Sequence, residues 1–324
     1  MRAIIIKKFG GPDVLDMIQL DKPKLQSGQL LVAVKACSAT TADYRIRSGH
    51  FPTGFGFIGR LIFGFLFSRY RILGTEVAGT VVEASPEISN FKTGDQVIVH
   101  LGGKMGGYQE FILVNSRENG QDTPIFHAPS KITLEEAATV SFGATTAFDY
   151  LHEKFKLQRG HRILIFGASG SVGTAAIQLA KKAGAYIVAV SRKENTQLLV
   201  SLGADAVMDY RETSFETFGK FDVVMDCAGV INWRTGLDRL VPNGTLLLVS
   251  GSLPDMLIGL LLKFVSQKRI VCGPTMNANK TLPKILELIE NGEFKAVIDR
   301  VFQINDIRDA HRYLDQRHRQ GNIV

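Results

Sequence analysis

The sequence predicts an α/β protein in two parts, a doubly wound parallel sheet and a smaller β-rich domain. From Arg162 onward, continuous apolar strands alternate with amphipathic helices, the pattern of a parallel sheet covered on both faces. From Met1 to about residue 120 the pattern is instead short β-rich runs separated by turn residues. A length of 324 residues exceeds one ordinary hydrophobic core and accommodates both parts.

In the first part the strand runs are AIII, QLLVAVKA, EVAGTVVEA, DQVIVHL and YQEFILV. The punctuation in SRENGQDTP marks a loop, and Thr133 with Glu136 forms a capping box opening a helix through LEEAATVSFGATTAFDYLHEKF. The second part then runs RILIFGA, SVGTAAIQLAKKAGA, YIVAVS, ENTQLLVSLGA, AVMD, FDVVMDCAG, a helical turn from Trp233 to Leu240, TLLLVSG and RIVCG. After Pro274, LPKILELIENG and DIRDAHRYLDQ read as helices around a strand-like VIDRVFQI, followed by a terminal GNIV. These last pieces are too few for a third domain and return to the first. The expected domains are therefore 1–122 with 278–324, and 123–277.

The composition, 45% hydrophobic and 21% charged with 32 Gly and 10 Pro, is that of a soluble globular protein and excludes disordered, collagen-like and coiled-coil chains. A net charge of +7 suits nucleic acid, an anionic membrane surface or a phosphorylated small molecule. The cations are dispersed and no Cys/His finger spacing occurs, so nucleic acid is set aside. Cys37, Cys227 and Cys272 are an odd, widely spaced set, which argues against a disulfide framework and fits a reducing cytoplasm. The N-terminal apolar run stops at Lys7, too short for a signal-peptide core. Neither Met256 to Leu262 nor Gly54 to Phe67, which Arg60 interrupts, is long enough to span a membrane.

The most specific signal is RILIFGASGSVGTAAIQLAKKAGA, a buried strand running into a glycine-rich turn that opens a helix. Ala168, Gly170 and Gly173 stand as AxGxxG, with Ser169, Ser171 and Val172 between them. Gly170 lets backbone approach a pyrophosphate and Gly173 lets the helix pack on its strand, while the helix N-terminus binds the phosphates. An NAD site normally ends its second strand in Asp or Glu, for the ribose hydroxyls. Here YIVAV ends in Ser191, followed by Arg192 and Lys193. A hydroxyl and two cations favour the extra phosphate of NADPH.

A β domain with GTEVAGTVVEAS and FKTGDQVIV, then ATTAFDYL, then GASGSVGTAAIQLAKKAGA, resembles the medium-chain dehydrogenase/reductase superfamily over nearly the whole chain. The likeness is strongest to its zinc-free quinone oxidoreductase branch. That resemblance implies a GroES-like substrate domain, a Rossmann domain and NADPH-dependent reduction of quinones or activated alkenes. The positions of the catalytic zinc ligands hold Thr40, Thr75 and Phe142, and HLGGKMGGY has no cysteine where the structural zinc lobe would lie, so no metal is expected. Cys37 is either a stray thiol or a small buried strand residue. By the same resemblance Thr146 lies near the nicotinamide, Tyr210 along the adenosine phosphate or in plain packing, and Gly229, Ser250 and Gly251 line the cofactor.

Glu76 is expected to act as the structural partner of a domain-interface cation rather than as an acid or base. An Asn and a Tyr of quinone reductase relatives are replaced by Thr40 and Arg45, while Tyr44 stands adjacent. Tyr44 and Thr40 are the candidate donors to the developing oxyanion, with solvent as the competing proton source. His50, His100 and His127 show no ligand spacing. The alternatives within this reading are a carbonyl or alcohol dehydrogenase and a non-enzymatic NADPH-binding scaffold. The resemblance also implies a homodimer through Arg269 to Gly273.

Residues 49–73 contain Phe51, Phe55, Phe57, Phe63, Phe65 and Phe67 at a mostly two-residue spacing that matches no amphipathic helix. Three readings compete for them: burial in the protein's own core, a wall for an apolar substrate, and peripheral membrane contact.

Overall fold

The computed structural model describes residues 1–65, 71–115, 123–212, 215–275 and 277–324. The chain divides into two compact units. Unit 1 comprises Met1–Phe51, Gly56–Phe142 and Ala278–Val324, and unit 2 comprises Pro52–Phe55 and Gly143–Asn277.

Unit 1 is built on antiparallel strands. β1 (Arg2–Ile6) pairs with β2 (Leu15–Gln19) and, after β3 (Gln29–Cys37), with the short β4 (Arg71–Ile72). With β5 (Glu76–Ala84), β6 (Gln96–His100), β7 (Phe111–Asn115) and β8 (Ile125–His127), β3 forms a five-stranded sheet of order β7-β3-β5-β6-β8. Its buried residues recur with the period of two that puts alternate side chains on one face: Leu30 and Val32, Val97 and Val99, Ile112 and Val114. Helix α1 (Thr41–Ser48) begins at a Thr40–Asp43 capping box and ends at Gly49 in the left-handed region, φ +70°.

Helix α2 (Gly56–Arg60) continues in wider π-type turns over Leu61–Phe65. The two-residue spacing of the phenylalanines matches no amphipathic helix, yet residues 56–65 are helical. Contact with Phe51 decides it: a Cβ on Gly59 would lie 2.6 Å from the Phe51 ring, so only glycine lets the helix come this close, and Phe63 stacks on the same ring at 5.7 Å. Phe51 and Phe63 join the core of unit 1, whereas Phe57 is 80% exposed. Residues 66–70, with Phe67, lie outside the described residues, as do those of the loop at 116–122.

The domain boundary falls at 142/143 rather than 122/123. The reason is long-range pairing, since β8 adds to β6 and the Phe142 amide donates to Glu76. The helix expected through 134–155 is likewise broken, into α3 (Leu134–Ala137) and α4 (Gly143–Phe148), which runs on in π-type turns to Phe155.

Unit 2 holds six parallel strands: β9 (Arg162–Phe166), β10 (Tyr186–Ser191), β11 (Ala206–Asp209), β12 (Phe221–Asp226), β13 (Leu240–Leu248) and β14 (Arg269–Cys272). Their order is β11-β10-β9-β12-β13-β14, the doubly wound arrangement that reverses direction beside its first strand. Helices α5 (Ser171–Lys182), α6 (Thr196–Ser201), α7 (Trp233–Asp238) and α8 (Leu253–Val265) connect successive strands. The strands are apolar on both faces, as helix-covered parallel strands must be: β9 buries Ile163 to Phe166 without a break. The Tyr150 hydroxyl, on the turns after α4, donates to the carbonyls of Leu248 (3.2 Å) and Gly273 (2.7 Å) at the ends of β13 and β14.

The chain then returns to unit 1 as α9 (Ala278–Glu290), β15 (Ile298–Arg300), α10 (Ile307–Asp315) and β16 (Asn322–Ile323). A fully buried Arg47 clamps this return: Nε donates to His311 Nδ1 (3.1 Å), Nη1 to the Gly10 carbonyl (3.0 Å), and Nη2 pairs with Asp315. Burial and the adjacent Arg47 charge push the His311 pKa down to about 3, so the ring is neutral and its proton lies on Nε2, facing the Tyr108 hydroxyl at 3.1 Å.

Candidate active site: a phosphate-binding turn and a buried carboxylate cluster

In unit 2 the predicted cofactor residues, Thr146 apart, gather at the C-terminal ends of the strands. This is where a doubly wound sheet binds ligands, at the switch between β9 and β12. Gly170 is the N-cap of α5 and offers no side-chain cap, so the first-turn amides of Ser171, Val172 and Gly173 are presented to an anion. A Cβ on Gly173 would lie 2.3 Å from the Gly167 carbonyl oxygen and 2.6 Å from Ala168 Cα, so the helix can meet its strand only as glycine. Gly170 differs: φ is −79° and the nearest atom to an added Cβ is 3.5 Å away. Space above Gly170 is thus open, as a backbone that a pyrophosphate approaches requires. The buried Ser171 hydroxyl has no hydrogen-bond partner in the protein. These features fit a dinucleotide. Thr146 lies on α4, which packs against α5.

At the end of β10, where the sequence leads one to expect the adenosine, Ser191 is buried and its hydroxyl accepts from Asn195 Nδ2 at 2.7 Å. Arg192 Nε donates to the hydroxyl of Tyr210, half exposed, at 3.1 Å. Sequence reading missed Asp209, which stands opposite Ser191 in the β10–β11 register. Its carboxylate accepts from the Lys193 amide (2.9 Å) and pairs with Arg211 (2.6 Å), whose hydrogen bonds hold its pKa well below the carboxylate range. Asp226 was missed as well. At the end of β12 its two oxygens accept four backbone amides, Ala228 and Gly229 on one, Val230 and Ile231 on the other, at 2.8–3.0 Å. Gly229 takes φ +72° in this turn and packs toward Ser250, while a Cβ on Gly251 would meet Cys272 at 2.6 Å. An Asp ending an apolar strand before Ala-Gly is the signal that could have found it.

In unit 1 the candidate residues surround two buried carboxylates. Asp43 accepts from the Thr40 amide (2.8 Å), the Thr40 hydroxyl (2.6 Å) and the Gly74 amide (2.7 Å), while the Thr40 and Thr75 hydroxyls are 3.3 Å apart. Among the described residues the partners of Glu76 are not the expected cation but the Ser38 and Ser141 hydroxyls (2.5 and 2.8 Å) and the Phe142 amide (2.7 Å), all of which donate to it. His100 Nδ1 lies 3.1 Å from Ser141 Oγ. Burial raises the Asp43 pKa to about 6 and that of Glu76 to about 7 against these hydrogen bonds, and lowers that of His100 to about 4. Thr40 is therefore a helix cap whose proton is committed to Asp43. Tyr44, partly exposed, accepts a long bond from Arg317 Nη2 at 3.4 Å, so its own proton is not spent there. Among the described residues no three His, Cys, Asp or Glu side chains come together as a metal site. Cys37 is half-buried, and desolvation of its thiol pushes the pKa well up.

The Glu76 shift has a measurable consequence. A carboxyl raised from 4.5 to about 7 in the folded state binds its proton more tightly there than in the unfolded chain. Its contribution is fully present below the unfolded value of 4.5 and is lost as pH rises toward 7. Thermal melts of wild type and Glu76→Gln should show the wild type losing ground steadily across that window. Parallel curves would mean that Glu76 stays ionised throughout.

A doubly wound dinucleotide sheet, paired with an antiparallel β unit, defines a two-domain dehydrogenase or reductase. Residues 26–121 match the alcohol dehydrogenase GroES-like domain family, and residues 202–324 the zinc-binding dehydrogenase family. A chloroplastic quinone oxidoreductase of Triphysaria versicolor is 28% identical, covering 100% of this chain and 98% of its own. A mitochondrial NAD(P)H oxidoreductase of Mus musculus is also 28% identical, over 100% and 88%. The solved quinone oxidoreductase of Coxiella burnetii superposes with a TM-score of 0.85 at 26% identity, over 100% and 98%. The chain belongs to the medium-chain dehydrogenase/reductase superfamily, in its quinone oxidoreductase-like branch, and is a nicotinamide-dependent oxidoreductase.

Proposed function

We propose that the protein reduces quinones or α,β-unsaturated carbonyl compounds with NADPH and without zinc. The observation that carries this reading is the donor set at the superfamily's zinc positions. Thr40 and Thr75 are hydroxyls tied to each other and to Asp43, and Phe142 offers no ligand atom, so the residues do not fit a zinc ion. When bound, NADPH supplies a hydride. The α5 N-terminus holds its pyrophosphate through the amides of Ser171, Val172 and Gly173. Arg192 and Lys193 pair with the 2′-phosphate, and Arg211 cancels the nearby Asp209 charge that would repel it. Tyr44 is the better donor to a developing oxyanion, because the Thr40 proton is already given to Asp43.

Three free cysteines fit the reducing cytoplasm. Among the described residues no helix is long and apolar enough to cross a membrane. β14 ends the sheet, and its unpaired edge supports a homodimer formed by strand pairing at Arg269 to Gly273.

NADPH oxidation with a panel of quinones, enones, aldehydes and alcohols, with and without chelator, tests the reading. Turnover of quinones or enones that chelator leaves unchanged is expected. Activity confined to alcohols or aldehydes, activity abolished by chelator, or no turnover with any substrate would overturn it. In the same assay Arg192→Glu should weaken NADPH by at least about tenfold while NADH is little affected, since a charge-assisted phosphate contact is replaced by repulsion. An unchanged ratio would remove Arg192 from the 2′-phosphate site.

A further inference from the structure

Helix α8 covers β14 with one face and leaves the opposite face bare. Ile258 and Leu262 pack into the core of unit 2, and Gly259 lets the backbones close: a Cβ there would meet the Ile270 carbonyl at 3.1 Å. On the outer side Leu257, Leu260, Leu261, Phe264 and Val265 are 54%, 55%, 66%, 87% and 80% exposed. Their i, i+3, i+4, i+7, i+8 spacing makes them one continuous stripe. Five large apolar side chains in a single row are far more than the scattered exposures of an ordinary surface.

Charge distinguishes the possible occupants of this stripe. Between Asp255 and Asn277 the chain carries Lys263, Lys268 and Arg269 and no carboxylate. Lys263 and Arg269 are exposed beside the stripe. A two-fold contact would bring the Lys263 and Arg269 of both copies into one interface, where like charges raise its cost. Strand pairing at β14 would use the sheet edge, whereas the stripe points away from the sheet. An apolar row rimmed by cations alone is complementary to lipid headgroups of negative charge.

We propose that the outer face of α8 docks the protein on an anionic lipid surface. Two weak signals, apolar burial and headgroup attraction, are what reversible attachment needs. The test is cosedimentation of the full chain with vesicles of phosphatidylcholine containing about 30% phosphatidylglycerol, against phosphatidylcholine alone. Wild type is expected to pellet with the anionic vesicles only, and less so as salt rises. Leu261→Glu with Phe264→Glu should weaken binding by more than about tenfold, and Lys263→Glu should weaken it with a shallower salt dependence. All three side chains are exposed, so thermal melts should match wild type, and reduction of a water-soluble quinone should be unchanged. Wild type remaining in the supernatant, or the Leu261/Phe264 pair pelleting as wild type does, would overturn the proposal. Gel filtration in which that pair converts a dimer to a monomer, with no vesicle binding by wild type, would assign the stripe to a second copy instead. Vesicle binding is read without turnover, so its failure and that of the reductase reading are separate results.

Discussion

Replacing Arg47 with methionine is expected to destabilise unit 1 by on the order of 3 kcal/mol, because removing one member of a buried charged network leaves its partners desolvated and unmatched. Its guanidinium is completely buried and satisfies three groups at once, His311, the Gly10 carbonyl and Asp315. Asp315 is 31% exposed and recovers some water, which keeps the loss below the upper end for such pairs. A drop in Tm of roughly 6–12 °C should follow for a unit of this size. Arg47→Lys should fall between, since an ammonium keeps the charge but cannot aim three fixed donors at three acceptors. A methionine variant melting within about 1 °C of wild type would mean that the network contributes nothing net.

The second large effect separates two glycines that look equivalent in the AxGxxG turn. Gly173→Ala puts a methyl within 2.3–2.6 Å of the backbone of Gly167 and Ala168, so strand, turn and helix must move apart. Both folding stability and NADPH affinity should fall, the affinity by about a hundredfold or more, because the amides of the first turn lose their aim. Gly170→Ala meets no protein atom closer than 3.5 Å and requires no unusual φ. Its melting temperature should stay at the wild-type value while NADPH binding weakens by about tenfold or more, since the methyl stands where a pyrophosphate oxygen must approach. Titration calorimetry alongside thermal melts reads both quantities. Equal behaviour of the two variants would contradict the division of roles between these glycines.

What was legible in the sequence was what neighbouring residues decide. The turn from Phe166 to Gly173 reads directly, because strand, glycine spacing and helix start are contiguous. The Thr40–Asp43 box was equally local, a T-x-x-D before a helix, yet Thr40 was read as a candidate donor because its position in the superfamily drew more weight than its cap. Long-range pairing was not legible. Nothing near residue 125 announces that β8 will join β6, or that Phe142 will donate to Glu76. Ser191 illustrates the same limit: the strand end was read correctly, but the hydroxyl accepts from Asn195. The helix at 56–65 was hidden because its packing depends on Gly59 lying against one ring, Phe51, and not on an apolar period.

The Arg47 clamp also sets an order of events during synthesis. Its partner Asp315 lies 268 residues further along the chain, with all of residues 143–277 between. At translation rates of about 5–20 residues per second, Arg47 waits roughly 15–50 s for that carboxylate to leave the ribosome. The strands of unit 2 are complete well before then and can close on themselves. Unit 1, its β-sheet already formed around an unmatched cation, stays open at the seam where α10 will dock. Chaperone occupancy and nascent-chain cleavage should therefore concentrate at that seam, and a chain whose residues up to Asn277 have emerged from the ribosome should carry a folded parallel-sheet unit beside an unfinished one.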